Sequence, residues 1–120
     1  MQPGSELVVE RSEQAWVLIL RGEHDLSTSP ALVNELDAVF AHGTMVVVDL
    51  AEASFIDSSV AGALMRAWET AQSREASTVV LCAPGGSPPR RLLDMVGMTR
   101  VIPTFETRAE AIDHLATDES

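Results

Sequence analysis

An α/β domain on a mixed, mostly parallel sheet, with an N-terminal hairpin and about four helices, is the fold this sequence predicts. Three observations carry that prediction. Val46-Val47-Val48 and Val79-Val80-Leu81-Cys82 are short runs too apolar for a solvent face, as strands covered on both faces are. Segments with helical apolar spacing alternate with these runs. Two further apolar runs, Leu7-Val8-Val9-Glu10 and Ala15 to Leu20, sit close together at the start around a polar turn, Arg11 to Gln14.

Those first two runs read as a hairpin at one side of the sheet, with Trp16 as core or sheet-face packing. Gly22-Glu23-His24-Asp25-Leu26 leaves the second strand. Ser29 then reads as a helix cap with Pro30 at the first helical position. Leu32, Leu36, Val39 and Phe40 form the buried stripe, with Val33 at its margin, and Gly43 suits a left-handed end after His42. After Val46–Val48 the chain turns over Asp49 to Ser54 and passes Phe55-Ile56. A second helix opens at Asp57-Ser58-Ser59, residue types that accept hydrogen bonds from a first turn. Val60, Ala61, Leu64, Ala67, Trp68 and Ala71 lay its apolar stripe on the sheet. Ser73 to Ser77 is a polar break before the strand Thr78–Ala83. Pro84 to Pro89 is a loop, and Pro89 to Val96 a short helix closed by Gly97, with Leu92, Leu93 and Val96 able to face the core. Met98 to Phe105 holds a last strand, at an edge because of Pro103. Thr107-Arg108-Ala109-Glu110 fits a capping box opening a final helix, which buries Ile112 and Leu115. Asp118-Glu119-Ser120 reads as a frayed end.

The 120 residues suit one domain, 1–120, with an ordered core of about 6–116. No apolar run approaches the roughly 20 residues a membrane span needs, and the first residues lack a secretory signal's basic and apolar regions. One cysteine, Cys82, excludes an internal disulfide and reads as a small buried strand residue. Together these predict a cytoplasmic protein. The net charge is −10 with eight basic residues, which argues against nucleic acid and anionic membranes. The acidity fits a basic protein partner, or solubility alone.

Catalytic chemistry is poorly supplied. His24, His42 and His114 lie far apart in polar contexts and read as surface residues. Ser58 lacks a Gly-x-Ser-x-Gly elbow, and Asp57 beside it is no substitute for a positioned base. Gly85-Gly86 lacks the Lys-Ser/Thr of a phosphate loop. Arg90 and Arg91 read as a solvated first turn. No cofactor or metal is implied, and the chain reads as a non-enzyme. Ser58 is better read as the substrate of another enzyme. A helix N-terminus can hold a phosphate, which adds about −1.5 to −2 charge. The alternative is that Ser58 and Ser59 only cap the helix.

Asp49-Leu50 followed by Phe55-Ile56-Asp57-Ser58-Ser59 and Gly62 resembles the signature of the STAS domain, as found in bacterial anti-sigma factor antagonists. Leu20 to Asp25 upstream and Pro89 to Met98 downstream resemble the same family, in the same order. The chain departs from the family pattern at Val60, where Gly is usual, and at Ala61, where Leu is common. The resemblance implies a single STAS-like domain that binds an anti-sigma factor, itself a serine kinase, and frees a sigma factor. The kinase would phosphorylate Ser58, and a phosphatase would reverse it. Asp57 would orient the loop or contact the kinase, and Ser59 would support the cap. The resemblance brings the Gly22–Asp25 loop beside Ser58, making Glu23 and Asp25 part of a partner-facing edge, or plain turn and capping residues. Val60 would belong to the contact surface and alter partner choice or phosphorylation efficiency. The protein would be a monomer or weak dimer. The competing expectations are a STAS module of a signalling scaffold or small-ligand sensor, and a small enzyme or phosphocarrier using Ser58 or an acid directly.

Overall fold

The computed structural model describes residues 4–42, 45–74 and 77–118. In chain order these form β1 (Ser5–Arg11), β2 (Trp16–His24), α1 (Ser29–His42), β3 (Met45–Asp49), β4 (Ala53–Ile56) and α2 (Ser58–Gln72). There follow β5 (Thr78–Cys82), α3 (Pro88–Met95), a 3-10 turn at Met98–Arg100, β6 (Thr104–Phe105) and α4 (Arg108–Asp118). The sheet order is β1-β2-β3-β5-β6, with β4 also pairing to β2. β1 and β2 are antiparallel and every other pairing is parallel, as the sequence predicts.

The continuous apolar runs are explained by two cores. Leu18, Leu20, Val46, Val48, Val79 and Leu81 face one side, under α1, α2 and α3. Val17, Ile19, Val47, Val80 and Cys82 face the other, where α4 brings Ala111 and Leu115. Alternate residues of a strand point to opposite faces, so a strand covered on both sides needs apolar residues throughout.

β2 is the spine, and it is longer than the sequence suggests. Trp16 to Ile19 pair with β3. The strand then bulges between Gly22 and Glu23 and pairs its last residues with β4, Glu23 opposite Phe55 and His24 opposite Ile56. Gly22 has φ +79° and lies where a side chain would overlap the Gly4 carbonyl oxygen, which is why glycine stands here. The stretch Asp49 to Ser54 is therefore not all turn: Ala53–Ile56 is a short strand. His24, expected at the surface, is only 1% exposed. Its Nε2 lies 3.1 Å from the Glu6 carbonyl and 3.0 Å from that of Arg21, so that nitrogen carries a proton and donates to them.

Other expectations shift by a turn or a contact. Ser29 is inside α1 rather than its cap, and its hydroxyl donates to the Leu26 carbonyl at 3.3 Å. Gly43 and the residues 75–76 and 119–120 lie outside the described residues. Val96 is 51% exposed instead of facing the core. Arg90 is not merely solvated. It donates to the Ala83 carbonyl at 2.9 Å and pairs with Asp94 and Glu106, both at 3.2 Å. Glu106 also accepts from the Gly85 N–H at 2.7 Å, so a carboxylate of the chain itself occupies the glycine loop. The capping box at α4 forms as expected: Thr107 and Glu110 exchange hydrogen bonds at 3.2 and 3.1 Å. Trp16 and Trp68 are partly buried against the main core. Cys82 is wholly buried. Burial first, then the charge of Asp49, pushes its thiol up to about 12, which keeps it protonated and unreactive.

Candidate functional site at the start of α2

The sharp turn from β4 into α2 is built by one side chain. Asp57 is the N-cap, and its Oδ1 accepts from the N–H groups of Ser59 and Val60 at 3.0 and 3.1 Å. The Ser59 hydroxyl donates to the same oxygen at 2.6 Å. The other oxygen, Oδ2, accepts from the Leu26 N–H at 3.1 Å. One carboxylate thus caps a helix and ties to it a loop 31 residues away in sequence. Partial burial works to raise the Asp57 pKa. The hydrogen bonds from the Ser59 hydroxyl and from the Val60, Ser59 and Leu26 N–H groups overcome it and hold the carboxyl below its ordinary value.

Two results follow from this geometry. Asp57→Ala is expected to cost about 1–2 kcal/mol, the usual worth of a cap, read from the urea unfolding midpoint; an unchanged midpoint would contradict the capping role. Because the native pKa of Asp57 is lowered, its contribution is in full force above the ordinary value of 3.8. It is lost as pH falls through the lower native value. The stability gap between wild type and Asp57→Ala should therefore narrow on acidification.

Ser58 is different from its neighbours. It is the first residue of α2 and exposed. Among the described residues its hydroxyl makes no hydrogen bond. The expectation that a phosphate here would settle on free first-turn N–H groups needs correction, because Asp57 already takes those of Ser59 and Val60. A charge added at Ser58 faces outward beside an existing carboxylate.

The remaining sequence-identified residues divide. Glu23 is exposed and sits opposite Phe55 in the β2–β4 pairing, so the loop after β2 does lie beside the α2 start. Asp25 is half-buried and shapes that loop, with Oδ1 accepting from the Ser27 N–H at 2.9 Å and its hydroxyl at 2.6 Å. Val60 is 0% exposed and packs in the main core. It offers a partner no side-chain surface, because the third residue after the cap points at the sheet. Val60→Gly therefore removes core volume and adds a helix-interior glycine. We expect a loss of about 3 kcal/mol, checked by urea unfolding, so any change in partner affinity must be read beside it. A variant as stable as wild type would contradict the packing seen here.

Sequence reading missed two neighbours. Leu26, 71% exposed, and Phe55, 45% exposed, flank Ser58 on the tethered loop and on β4. An exposed leucine amid polar loop residues was the available signal. The surface thus offers an uncommitted hydroxyl, apolar side chains on two sides and the acid Glu23, which suits contact with another protein more than turnover of a small substrate. Among the described residues no group of His, Cys, Asp and Glu is arranged to hold a metal, and no helix is long and apolar enough to cross a membrane.

Comparison with known proteins gives the family. An anti-sigma factor antagonist from Mycobacterium paratuberculosis is 25% identical, with a TM-score of 0.87 over 96% of this chain and 97% of that one. The anti-sigma factor antagonist SpoIIAA in its unphosphorylated form is 23% identical, TM-score 0.71, over 92% and 98% of the two chains. The Bacillus cell fate determinant SpoIIAA in the phosphorylated form is 21% identical, TM-score 0.69, over 92% and 99%. A sulfate transporter family protein from Wolinella succinogenes is 14% identical, TM-score 0.75, over 91% of each chain. No curated protein matches. Residues 6–111 match the STAS domain, and with three sequence motifs and the whole fold in agreement, the chain belongs to the STAS domain family.

Proposed function

We propose that this protein is an anti-sigma factor antagonist that binds a serine-kinase anti-sigma factor and is switched off by phosphorylation of Ser58. A phosphatase restores it. The general role is supported by the likeness to anti-sigma factor antagonists over nearly the whole chain. The observation that carries the finer reading is the contrast at the α2 start. Asp57 and Ser59 are locked into the cap, while the Ser58 hydroxyl between them is exposed and unengaged. Asp57, Ser59 and Asp25 act by holding Ser58 and its loop in place. Glu23, Leu26 and Phe55 supply surface beside it.

Phosphorylation adds about −1.5 to −2 charge at a point where the helix end is already neutralised by Asp57. The domain has no reason to rearrange, and the cost falls on the partner, which meets a bulky anion where it met a hydroxyl. Ser58→Glu is expected to weaken binding several hundredfold, equivalent to about 3.5 kcal/mol. The test is affinity capture from lysate of the source organism with wild type and Ser58→Glu as paired baits, read by mass spectrometry. A kinase-like anti-sigma factor held by wild type and lost by the variant is the expected result. The same proteins on both baits would remove the switch and leave a scaffold role, with Ser58 a plain surface residue of the first helical turn.

A further inference from the structure

A cleft of about 170 Å³ lies between α1 and α2, away from the Ser58 surface. Its floor is Leu36 and Phe40 from α1 and Ala63 and Ala67 from α2. It exists because α2 places two alanines, one turn apart, against the larger side chains of α1. Beyond the cleft lining, Arg74 lies over the Phe40 ring at 5.9 Å and donates to the Phe40 carbonyl at 3.4 Å, which holds Phe40 in place. Two opposite charges line the same cleft, Asp37 on α1 and Arg66 on α2. Neither forms an ion pair among the described residues. The Arg66 guanidinium instead lies back over Gly62, its Nη1 3.5 Å from where a Cβ would stand.

We infer that this cleft binds an apolar α-amino acid in its zwitterionic form. The apolar side chain fills the floor, the carboxylate meets Arg66 and the ammonium meets Asp37. Size fits: an engineered cavity of about 150 Å³ takes one benzene, and a leucine or phenylalanine side chain is of that order. Charge decides between ligand classes. A simple carboxylate would gain Arg66 but face Asp37 and a protein of net charge −10. A simple amine would leave Arg66 without an anion. A ligand carrying both charges answers both walls, an apolar α-amino acid is the smallest that does so with an apolar body for the floor, and charge-assisted hydrogen bonds are the stronger kind. An apolar cleft with a few convergent polar groups is the usual form of a small-molecule site.

This inference does not depend on the Ser58 switch, and its test leaves Ser58 alone. The probe is L-leucine, titrated into 15N-labelled full-length protein and followed by NMR. The expected result is saturable shifts confined to the cleft residues of α1 and α2, with a dissociation constant on the order of 1 mM. 4-Methylpentanoate and 3-methylbutylamine, each lacking one charge, and glycine, lacking the apolar body, should each bind at least about tenfold more weakly. Arg66→Gln and Asp37→Asn replace exposed side chains and should each weaken leucine about tenfold. No saturable shift with leucine overturns the proposal. So does equal binding of leucine and either singly charged analogue, a comparison on wild type that needs neither variant to fold.

Discussion

Replacing Arg108 with leucine should destabilise the domain by about 3–5 kcal/mol, the largest loss expected from a surface-reaching residue in this chain. Arg108 opens α4, and its Nε donates to Asp49 Oδ2 at 2.8 Å, while its Nη1 meets Glu10 at 3.2 Å. Asp49 ends β3 and is 3% exposed. Its other oxygen accepts the Ala51 N–H, at 2.9 Å. The pairing with Asp49 raises the Arg108 pKa against the opposing effect of burial, so the guanidinium stays charged throughout. Without it, a carboxylate is left buried and half-satisfied, and the helix that brings Ala111 and Leu115 to the second core loses its anchor. Urea unfolding checks the loss, and adding Asp49→Asn should recover part of it by removing the stranded charge. Glu10→Gln should cost under about 1 kcal/mol, because that end of the network is exposed. Equal losses for Glu10→Gln and Arg108→Leu would contradict this account.

Gly22→Val should cost about 3 kcal/mol or more. A branched side chain at φ +79° is strained wherever it stands, and here it also overlaps the Gly4 carbonyl oxygen. Gly86 supplies the control. It has φ +82° but open space around its missing Cβ, so Gly86→Val should cost only the backbone strain, about 1–3 kcal/mol. The difference between the two midpoints in urea measures the close approach. Gly22 also sets the bulge that moves β2 from β3 to β4, which delivers Leu26 to Asp57. Gly22→Val should therefore weaken partner binding as well, while Gly86→Val should not. Equal destabilisation by both substitutions would show that the strand bend tolerates a side chain.

Local chemistry was legible in the sequence wherever one residue type has one cheap solution. The Thr107–Glu110 box, the Asp57 cap and the Gly97 helix end all form as their residues imply. So did the doubly covered strands, because nothing else explains three valines in a row. What failed depended on distant partners. β4 is four residues with an exposed middle, too short and too mixed for a period to declare itself. It exists because β2 bends to meet it. His24 sits among polar residues in sequence, and only the carbonyls of Glu6 and Arg21 make its burial affordable. Helical spacing puts Val60 in the apolar stripe of α2, where it is; what fails is its place on a contact surface, which came from the family resemblance alone. The link from Asp57 to Leu26 joins residues that no local pattern connects, and it is this link that makes one surface of two loops.

The most direct test of the switch is phosphorylation in a purified system. The kinase captured by wild type is incubated with this protein and ATP, the modified residue is located by tandem mass spectrometry, and the affinity of each form is measured by calorimetry. One phosphate at Ser58, none on Ser58→Ala, and binding weakened several hundredfold with an unchanged unfolding midpoint is the predicted result. Phosphate on another residue, or a phosphorylated form that binds as tightly as the free hydroxyl, would contradict it.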